Sequence, residues 1–441
     1  MQAEQDGGVK ARRALVSVIR ENLEGLGMGF DTMLLGECAR LVRDNVQPDE
    51  VAQLPYIGLE HIEADTLRLN DHGQASDVTS TKLKFKKGDI LFGKLRPYFR
   101  KVIRAPFDGV SSTDIWVVRA KPGIDQGFLY YLMASQKFVD FSMRGAEGTK
   151  MPRAKWEYVS RYEQIMFPLP EQRAIAHILG SLDDKIELNR RMNATLEGIA
   201  RALFKSWFVD FDPVHARRGE RESTLPPEVL ALFPDEFVES ELGLIPRGWE
   251  VGITDDIITE RKERNKDQEF ENVLSVLSSG ELVLSDNHFT KRVYSRDTSK
   301  YKKVYPFDFA YNPSRINIGS IGMLSDYESG IVSPIYVVFT PKNGFEWFLK
   351  FFICLPQTQA MITQLCSGSV RQSLKFKDFA SLPLVLPPLN IIQEFTKQYL
   401  RLRQLVIANN EQSRTLAELR DMLLPRLISG ELRVPENLGQ D

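Results

Sequence analysis

The chain has 441 residues, a length that allows two or three domains, each with a core of its own. Hydrophobic residues make up 43% of the chain and charged residues 26%, which is ordinary for a globular protein and excludes global disorder. The formal net charge of −2 at pH 7 argues against indiscriminate binding of polyanions by the whole surface.

Membrane and secretory signals are not visible in the sequence. No apolar run approaches the length of a membrane span, and the first residues, MQAEQDGGVKARRALV, lack the features of a signal peptide. The three cysteines, Cys38, Cys354 and Cys366, are odd in number and widely separated, which fits neither a disulfide framework nor a zinc-ligand spacing. We therefore expect a cytoplasmic location and no metal site.

The N-terminal third begins with an amphipathic pattern and continues with short strands. Residues 1–28 include VKARRALVSVIRENLEGL, whose apolar residues share one helical face, so we predict an N-terminal helical arm. Beyond it, β-branched and aromatic residues lie between Gly and Pro breaks, as in LKFKKGDILFGKL, and a helical interlude, GFLYYLMASQKFVDFSM, follows. This pattern predicts a first globular α+β domain over residues 29–167.

Residues 168–212 are predicted to form one long helix, because prolines stand at its start and Pro213 follows its end. A heptad that starts at Ile175 predicts a coiled-coil seam with one polar residue near its middle. Its a positions are Ile175, Leu182, Asn189, Leu196 and Leu203. Its d positions are Ile178, Lys185, Met192, Ile199 and Ser206.

The second half of the chain repeats the first at an offset close to 220. Residues 213–247 contain five prolines and many acids, so we predict an exposed linker with at most one short helix. In the second globular domain, residues 248–387, GDILFGKLR becomes FDFAYNPSR and EGTKMPRAKW becomes SGSVRQSLKF. A second long helix is predicted over 388–430, and residues 431–441 form a short polar tail that we expect to be frayed.

The seam of the first long helix recurs in the second. The second set of a positions is Phe395, Leu402, Asn409, Leu416 and Leu423, and the second set of d positions is Gln398, Leu405, Gln412, Leu419 and Arg426. If the helices pack antiparallel, the amides of Asn189 and Asn409 can hydrogen-bond across the seam and fix its register. The alternative is that each asparagine faces solvent.

The predicted fold class is therefore α+β. Two globular domains of mixed α/β structure are separated by two long helices, which pack as an antiparallel coiled coil and form a pseudo-twofold internal repeat.

Catalytic constellations are not evident in the sequence. It contains no Walker A loop and no glycine-rich phosphate loop between a strand and a helix. The tripeptide Asn312-Pro313-Ser314 faintly resembles a motif of amino-methyltransferases, but a turn fits its neighbours better. Asp210 and Asp212 lie at the end of the predicted helix without a third carboxylate, so solvated surface is the better interpretation. We predict no catalytic residue in this chain.

Two segments are strongly basic, one in each half. Residues 82–104 hold nine Lys or Arg against one acid, and residues 291–315 hold seven against two. Such local charge suits contacts with the phosphates and grooves of DNA, although any single cation is more often a solvated surface residue. The candidate DNA-binding residues are Lys94, Arg96, Arg100, Lys150 and Arg153 in the first domain and Asn312, Arg315, Ser369 and Arg371 in the second.

Apolar side chains at the end of the first long helix favour a partner protein. Phe204, Trp207 and Phe208 lie on its surface in the sequence pattern, and exposed aromatic clusters of this kind mark docking sites. We interpret these residues as a docking surface for a partner subunit.

The two helical tracts carry a family resemblance. PLPEQRAIAHILGSLDDKIELNRRMNATLEGIARALFKSWFVDFDPV resembles the central conserved region of type I restriction-modification specificity subunits. PPLNIIQEFTKQYLRLRQLVIANNEQSRTLAELRDMLLPRLISGEL is similar to the distal conserved region of the same family. The two globular domains match the family in layout more than in residues.

The resemblance implies a function. Each globular domain would be a target recognition domain for double-stranded DNA, and the paired helices would act as a fixed spacer that docks two modification subunits. Those partners would bind S-adenosylmethionine and methylate adenine, while restriction subunits would use ATP and Mg. This chain would then hold no cofactor and would recognise an asymmetric, bipartite DNA site.

Three alternatives remain open at this point. The chain could be a restriction or methylating enzyme with its own active site, or a coiled-coil scaffold whose globular ends bind protein. A stand-alone DNA-binding regulator is the third.

Overall fold

The computed structural model describes residues 31–277, 279–288, 294–325, 327–366 and 373–434. The predicted helical arm, residues 1–28, lies outside the described residues. The chain divides into two compact units. Unit 1 comprises Met1–Arg190 and Asn409–Asp441, and unit 2 comprises Arg191–Ala408.

Short strands and one very long helix make up the first half of the described chain. The strands are β1 (Asp31–Leu34), β2 (Ala39–Val42), β3 (Asn45–Val46), β4 (Pro55–Ile57), β5 (Gly73–Gln74), β6 (Lys82–Phe85), β7 (Ile90–Gly93), β8 (Val102–Arg104), β9 (Gly109–Ser111), β10 (Ile115–Ala120) and β11 (Glu163–Met166). The helices are α1 (Leu35–Cys38), α2 (Gln126–Ala134), α3 (Gln136–Arg144), α4 (Trp156–Val159) and α5 (Leu169–Phe208). Short 3-10 turns lie at Pro48–Val51, Leu59–His61, Ala75–Asp77 and Pro97–Phe99.

The second half has a similar succession of elements. Its strands are β12 (Phe237–Ser240), β13 (Gly243–Pro246), β14 (Glu250–Ile253), β15 (Ile258–Arg261), β16 (Leu274–Val276), β17 (Leu282–Leu284), β18 (Lys302–Val304), β19 (Phe309–Tyr311), β20 (Ile321–Met323), β21 (Gly330–Val332), β22 (Val337–Pro341) and β23 (Pro383–Leu386). Its helices are α6 (Asp212–Arg217), α7 (Pro227–Leu230), α8 (Ser285–His288), α9 (Glu346–Ile353), α10 (Pro356–Leu365), α11 (Phe376–Ala380) and α12 (Leu389–Ile428). Short 3-10 turns lie at Thr254–Asp256 and Ile316–Ile318.

A four-stranded antiparallel sheet, β2-β10-β7-β8, organises unit 1. Successive residues of a strand point to opposite faces, so Ile90 and Phe92 pack in one core with helix α2, whereas Leu91 packs in a second core. The five-stranded sheet β3-β6-β9-β4-β5 supplies Ile57 and Phe85 to that second core. Strand β7 is therefore buried on both faces, which explains its uninterrupted apolar sequence.

Unit 2 repeats this sheet. Its strands follow the equivalent order β15-β22-β19-β20, and the pairing of β14 with β23 matches that of β1 with β11. Phe309 and Phe339 face the core that contains helix α9, while Ala310 and Val338 face a smaller core on the other side. The predicted internal repeat is confirmed at the level of strand order.

The two long helices pack antiparallel. In unit 1, Glu171 of α5 pairs with Arg433, just after α12, at 2.7 Å, and Asp183 pairs with Arg420 at 2.7 Å, so one residue number falls as the other rises. In unit 2, Phe204 near the end of α5 packs against Phe395 near the start of α12, with ring centroids 5.5 Å apart. The predicted antiparallel coiled coil is confirmed.

The predicted d positions of the seam are wrong at Met192 and Ile199, although Gln412, another predicted d residue, lies at the helix interface. Met192 and Ile199 are 43% and 48% exposed. Ile186 and Ala200, each of which directly follows a predicted d position, are buried. The second inward-facing residue follows each a position by four residues rather than three. Residues three and four apart lie on the same face of a helix, so both spacings are compatible with a seam. The a positions were assigned correctly to the inner face. Asn189 is fully buried, and five other predicted seam residues are half-buried: Leu196, Leu203, Asn409, Leu416 and Leu423.

Asn189 lies at the helix interface of unit 1, but not in the predicted amide pair. Its side-chain NH2 donates to Gln412 Oε1 at 2.9 Å, to Ser413 Oγ at 3.2 Å and to the backbone oxygen of Asn409 at 3.3 Å. The antiparallel register places Asn189 beside one full turn of α12, so it contacts the backbone of Asn409 and the side chains that follow. Solvent exposure of Asn189 is thereby excluded.

The predicted linker, residues 213–247, is folded. It contains helices α6 and α7 and the hairpin β12-β13. Val214 and Phe233 from this segment are buried in the main core of unit 2. Pro213 and Pro227 stand in the first turns of the two short helices, where proline is tolerated, and do not mark an extended connector.

Residues 433 and 434, which fall in the predicted frayed tail, are ordered and contact unit 1. Arg433 forms a two-pronged ion pair with Glu171, with distances of 2.7 and 2.8 Å, and Val434 is buried in the core of unit 1. Val434 is the equivalent of Val214 in the repeat, so the second copy of the pattern continues through residue 434. Residues 435–441 lie outside the described residues.

Candidate nucleic-acid interface

Arg96 and Arg315 occupy equivalent positions in the two units. Each immediately precedes a 3-10 turn, Pro97–Phe99 or Ile316–Ile318, that joins two neighbouring strands of the four-stranded sheet. We call residues 96–100 arginine turn 1 and residues 315–319 arginine turn 2. The matched arginines noted in the sequence therefore mark a repeated structural feature.

The two turns begin differently, because Arg315 has a φ of −137°, but they end in the same left-handed conformation. Arginine turn 1 ends at Arg100, whose φ of 47° is left-handed, and arginine turn 2 ends at Gly319, with a φ of 88°. Arg96 is also left-handed, with a φ of 51°. This conformation costs a non-glycine residue roughly 1–2 kcal/mol, and strained backbone of this kind is concentrated at functional sites.

A second loop lies against arginine turn 1. The backbone N–H of Arg96 donates to the carbonyl of Pro152 at 2.7 Å, and that of Ala154 donates to the carbonyl of Lys94 at 2.9 Å. The guanidinium of Arg96 also reaches the carbonyl of Lys150 at 3.4 Å. The structure thus brings together four of the first domain's five predicted DNA-binding residues, Lys94, Arg96, Lys150 and Arg153.

The cations of this group differ in how they are held. Lys150 is exposed, and Arg153 is exposed while pairing with Asp114 at 3.2 Å. Lys94 and Arg153 lie on the rim of a cleft of about 400 Å³. Its floor contains Trp116 and Trp156, which meet edge to face with centroids 5.5 Å apart. The surface combines mobile positive charge with an aromatic floor, as nucleic-acid sites do.

The predicted DNA contact of Arg100 is wrong. Arg100 is 8% exposed, its Nε donates to the carbonyl of Ala134 at 2.7 Å, and its guanidinium lies 3.5 Å from Asp421 of α12. The left-handed backbone at this position directs the side chain inward. Arg100 therefore fastens arginine turn 1 to helices α2 and α12 and is not available to DNA.

Arginine turn 2 is formed by different side chains. The side-chain oxygen of Asn312 accepts a hydrogen bond from the N–H of Ser314 at 3.0 Å, and the N–H of Arg315 donates to the carbonyl of Asn312 at 2.9 Å. Asn312 thus shapes the turn that presents the exposed Arg315. The other two candidates of this domain, Ser369 and Arg371, lie outside the described residues.

Two exposed apolar side chains lie in these turns, and neither was among the predicted DNA-binding residues. Tyr98 is 45% exposed in arginine turn 1, and Ile318 is 58% exposed in arginine turn 2. Their neighbours Pro97 and Ile316 are buried. The available signal was weak, because an apolar residue beside arginine and glycine gives no indication of which side chain faces solvent.

A buried ion pair supports the strand that carries each turn. Asp89 accepts from Arg119 of β10 at 2.5 and 2.7 Å, and the hydrogen bond to Asp89 raises the pKa of Arg119. Asp308, its equivalent in unit 2, accepts from Arg261 of β15 at 2.6 and 3.1 Å. The carboxylate is repeated, but its arginine comes from a different strand.

The predicted docking residues are not on the surface. Phe204, Trp207 and Phe208 are between 1% and 8% exposed and belong to the main core of unit 2. Trp207 meets Phe233 edge to face at 5.1 Å, so part of the cover comes from the folded segment that was predicted to be a linker. The interpretation of these three residues as a docking surface is wrong.

Acidic side chains considered for catalysis make ordinary contacts. Asp210 pairs with Lys205, and Asp212 pairs with Arg221. Within the described ranges, His, Cys, Asp and Glu side chains form no group of three or more that could hold a metal ion. Among the described helices, none is both long enough and apolar enough to cross a membrane.

Comparison with protein families and known proteins places these features in context. The model of the type I restriction modification DNA specificity domain matches residues 40–198. The specificity subunit of the type I restriction enzyme HindI from Haemophilus influenzae is 27% identical over 414 residues, covering 80% of this chain and 88% of that protein. The MjaIX specificity subunit from Methanocaldococcus jannaschii is 27% identical over 412 residues, covering 89% and 87%.

A solved structure shares the fold. The S subunit of a type I restriction-modification system from M. genitalium superposes with a TM-score of 0.50 at 14% sequence identity. The similarity covers 91% of this chain and 96% of that one.

Proposed function

We propose that this chain, which belongs to the family of type I restriction-modification specificity subunits, recognises the DNA sequence on behalf of a larger complex. The observation that carries the proposal is the recurrence of the arginine turn at the same point of the same sheet in both units. A single basic loop is common on protein surfaces. The same loop in two domains of one chain favours two DNA contacts.

The two DNA contacts differ in chemistry. Unit 1 offers Arg96 and Tyr98 beside Lys150 and Arg153, whereas unit 2 offers Arg315 and Ile318. Different side chains at equivalent positions recognise different bases, so we propose an asymmetric site with two unlike half-sites. The gap between the half-sites is assigned to the long helices, as the family resemblance implies.

Partner subunits supply the chemistry in this proposal. The chain itself has no catalytic role and holds no cofactor; methyltransferase subunits bind S-adenosylmethionine, and restriction subunits use ATP and Mg. The docking surface for these subunits is assigned to exposed apolar side chains of the long helices. These are Leu188, Met192 and Ile199 on α5 and Leu405, Leu419 and Met422 on α12.

Mapping of methylated adenines tests the proposal directly. Cells that carry this chain with its methyltransferase partner should methylate one asymmetric, bipartite motif, and cells that carry the partner alone should not. The purified chain, incubated with duplex DNA and labelled S-adenosylmethionine, should transfer no methyl group. Transfer by the chain alone would favour the single-chain enzyme, and a complex without salt-dependent DNA binding would favour the protein-binding scaffold.

A further inference from the structure

Tyr98 and Ile318 present large apolar surfaces to water on the two arginine turns, at the third residue of arginine turn 1 and the fourth residue of arginine turn 2. Both are carried by an arginine turn, and both lie within three residues of an exposed or half-buried arginine. Neighbouring apolar residues of the same turns, Pro97 and Ile316, are buried. Single exposed apolar side chains are common on protein surfaces, but an exposed apolar side chain close to an arginine on an equivalent turn of each unit is a candidate contact for another molecule.

Arginine turn 1 is rigidly supported. Arg100 ties it to Ala134, and the carbonyl of Phe99 accepts from the N–H of Asp65 at 3.1 Å. The ammonium group of Lys101 donates to the carbonyl of Leu59 at 2.6 Å. A side chain held on such a turn keeps its position when it is pushed against another molecule.

Arginine turn 2 is also supported, by other bonds. The N–H of Gly319 donates to the carbonyl of Ile316 at 3.0 Å, and that of Ser320 donates to the carbonyl of Arg315 at 3.2 Å. The hydroxyl of Ser320 donates to the carbonyl of Val276 at 3.1 Å. Each arginine turn is therefore held by hydrogen bonds, although the bonding groups differ between the two turns.

We propose that Tyr98 and Ile318 are wedges that enter the base stack, each between two adjacent base pairs of its own half-site. The inference rests on the proposed function and adds a mode of recognition to it. Arg96 and Arg315 hold the flanking phosphates, while the apolar side chain replaces the lost stacking contact at one step. Proteins that combine arginine with an inserted apolar side chain kink the duplex in this way.

Insertion makes each half-site sensitive to DNA deformability. Pyrimidine–purine steps unstack most easily, so the wedge favours such a step even where no side chain contacts the base edges. Tyr98 and Ile318 would then contribute to specificity without a hydrogen bond to a base. The two wedges act independently, because each belongs to a different unit.

Fluorescence of 2-aminopurine tests the wedges in the assembled complex with its methyltransferase partner. The probe is placed at successive positions of both half-sites, other than the methylated adenines, in a duplex that contains the mapped motif. Binding of the wild-type complex should raise the fluorescence severalfold at one step in each half-site. Tyr98→Ala should abolish the rise in one half-site only, and Ile318→Ala should abolish it in the other.

Matched controls come from exposed apolar residues of the same units. Leu34→Ala and Ile253→Ala remove exposed apolar side chains from strands β1 and β14, outside the arginine turns, and should leave both signals intact. Thermal unfolding confirms that all four variants fold. Absence of any rise with a bound wild-type complex, or a rise that persists in both wedge variants, would overturn the inference.

The same measurements separate this inference from the proposed function. A wild-type complex that binds and methylates a bipartite motif without unstacking it sustains the proposed function and removes the wedges. A complex that shows no sequence-specific methylation removes both.

Discussion

Asp183 of helix α5 and Arg420 of helix α12 form a buried ion pair in unit 1, with Nη1 2.7 Å from Oδ1. Tyr131 of α2 donates its hydroxyl to the other oxygen of Asp183 at 2.6 Å. Burial lowers the pKa of Arg420, but Asp183 and then Asp421 outweigh that effect and raise it overall. One carboxylate thus joins both long helices to a helix that covers the sheet.

Removal of Arg420 is expected to destabilise unit 1. Arg420→Ala leaves Asp183 charged and mostly buried without its partner, which costs about 3–5 kcal/mol. Urea unfolding of the full chain, followed by circular dichroism, measures the change.

The control for this variant lies on the other long helix of unit 1, α5. Arg190 pairs with Glu187 across one turn of α5, but its side chain is 52% exposed. Arg190→Ala should therefore change the free energy of unfolding by no more than about 0.5 kcal/mol. Equal losses in the two variants would show that the buried pair has no special importance.

The repeat preserves the helices but not this ion pair. In unit 2, the residue equivalent to Asp183 is Arg403, and the residue equivalent to Arg420 is Ala200. The guanidinium of Arg403 lies 5.2 Å from the ring centroid of Trp347. Periodicity predicted the helices because it extends over ten turns, whereas a pairwise contact depends on single residues that the repeat does not constrain.

The sequence predicted the arginine turns only in part. Matching Arg96 with Arg315 was possible because both follow an apolar strand at the same offset. The inward direction of Arg100 was not predictable, because it follows from one left-handed backbone angle. Burial of Trp207 was missed for another reason: it packs against Phe233, which belongs to a segment whose prolines and acids resemble a linker.

Arg96 and Arg100 should respond differently to truncation. Arg96→Ala removes a proposed phosphate contact, so it should weaken DNA binding by the assembled complex and reduce the slope of log affinity against log salt by about 0.9. Its thermal unfolding should stay close to that of the wild type. Fluorescence anisotropy over a salt series measures the slope.

Arg100→Ala should instead lower the stability of the protein. It leaves the carbonyl of Ala134 without its buried donor, which costs about 1–3 kcal/mol. The slope of log DNA affinity against log salt, measured on the folded protein, should stay unchanged. A reduced slope for Arg100→Ala with normal stability would contradict the assignment of this residue to the interior.

Phe204 and Met192 distinguish core from docking surface on the same helix. Phe204→Ala should destabilise unit 2 by about 3–5 kcal/mol, because it opens a cavity among Phe348, Phe351 and Phe395.

Met192→Asp should leave stability nearly unchanged and should reduce co-purification of the methyltransferase subunit. Retention of the partner by Met192→Asp and Ile199→Asp together would exclude this face as the docking site.

Cys38 should stay protonated and unreactive in the folded protein at neutral pH. Burial, and then the charge of Glu37, raises its pKa from 9.0 to about 11. The unfolded chain loses this proton first, so the associated stability is present below about pH 9 and is lost as the pH rises towards 11.

Comparison with Cys38→Ala isolates this effect. Between pH 9 and 11, the unfolding free energy of the wild type should fall relative to that of the variant, which has no thiol to ionise. Iodoacetamide should label Cys38 only after unfolding. Rapid labelling of Cys38 at pH 8 under native conditions would contradict the burial of this thiol.

The length of the long helices should set the gap between the half-sites. Insertion of one heptad into each of α5 and α12 keeps every later residue on nearly the same helical face and lengthens the pair by about 10 Å, at about 1.5 Å per residue. This corresponds to about three base pairs at about 3.4 Å each. Methylation mapping of the variant should therefore show a longer gap between two unchanged half-sites, because the arginine turns are untouched. An insertion of two residues serves as the control, since it rotates the later residues by about 200°, off the interface, and should abolish methylation. Altered half-sites with an unchanged gap would show that the helices do not act as the spacer.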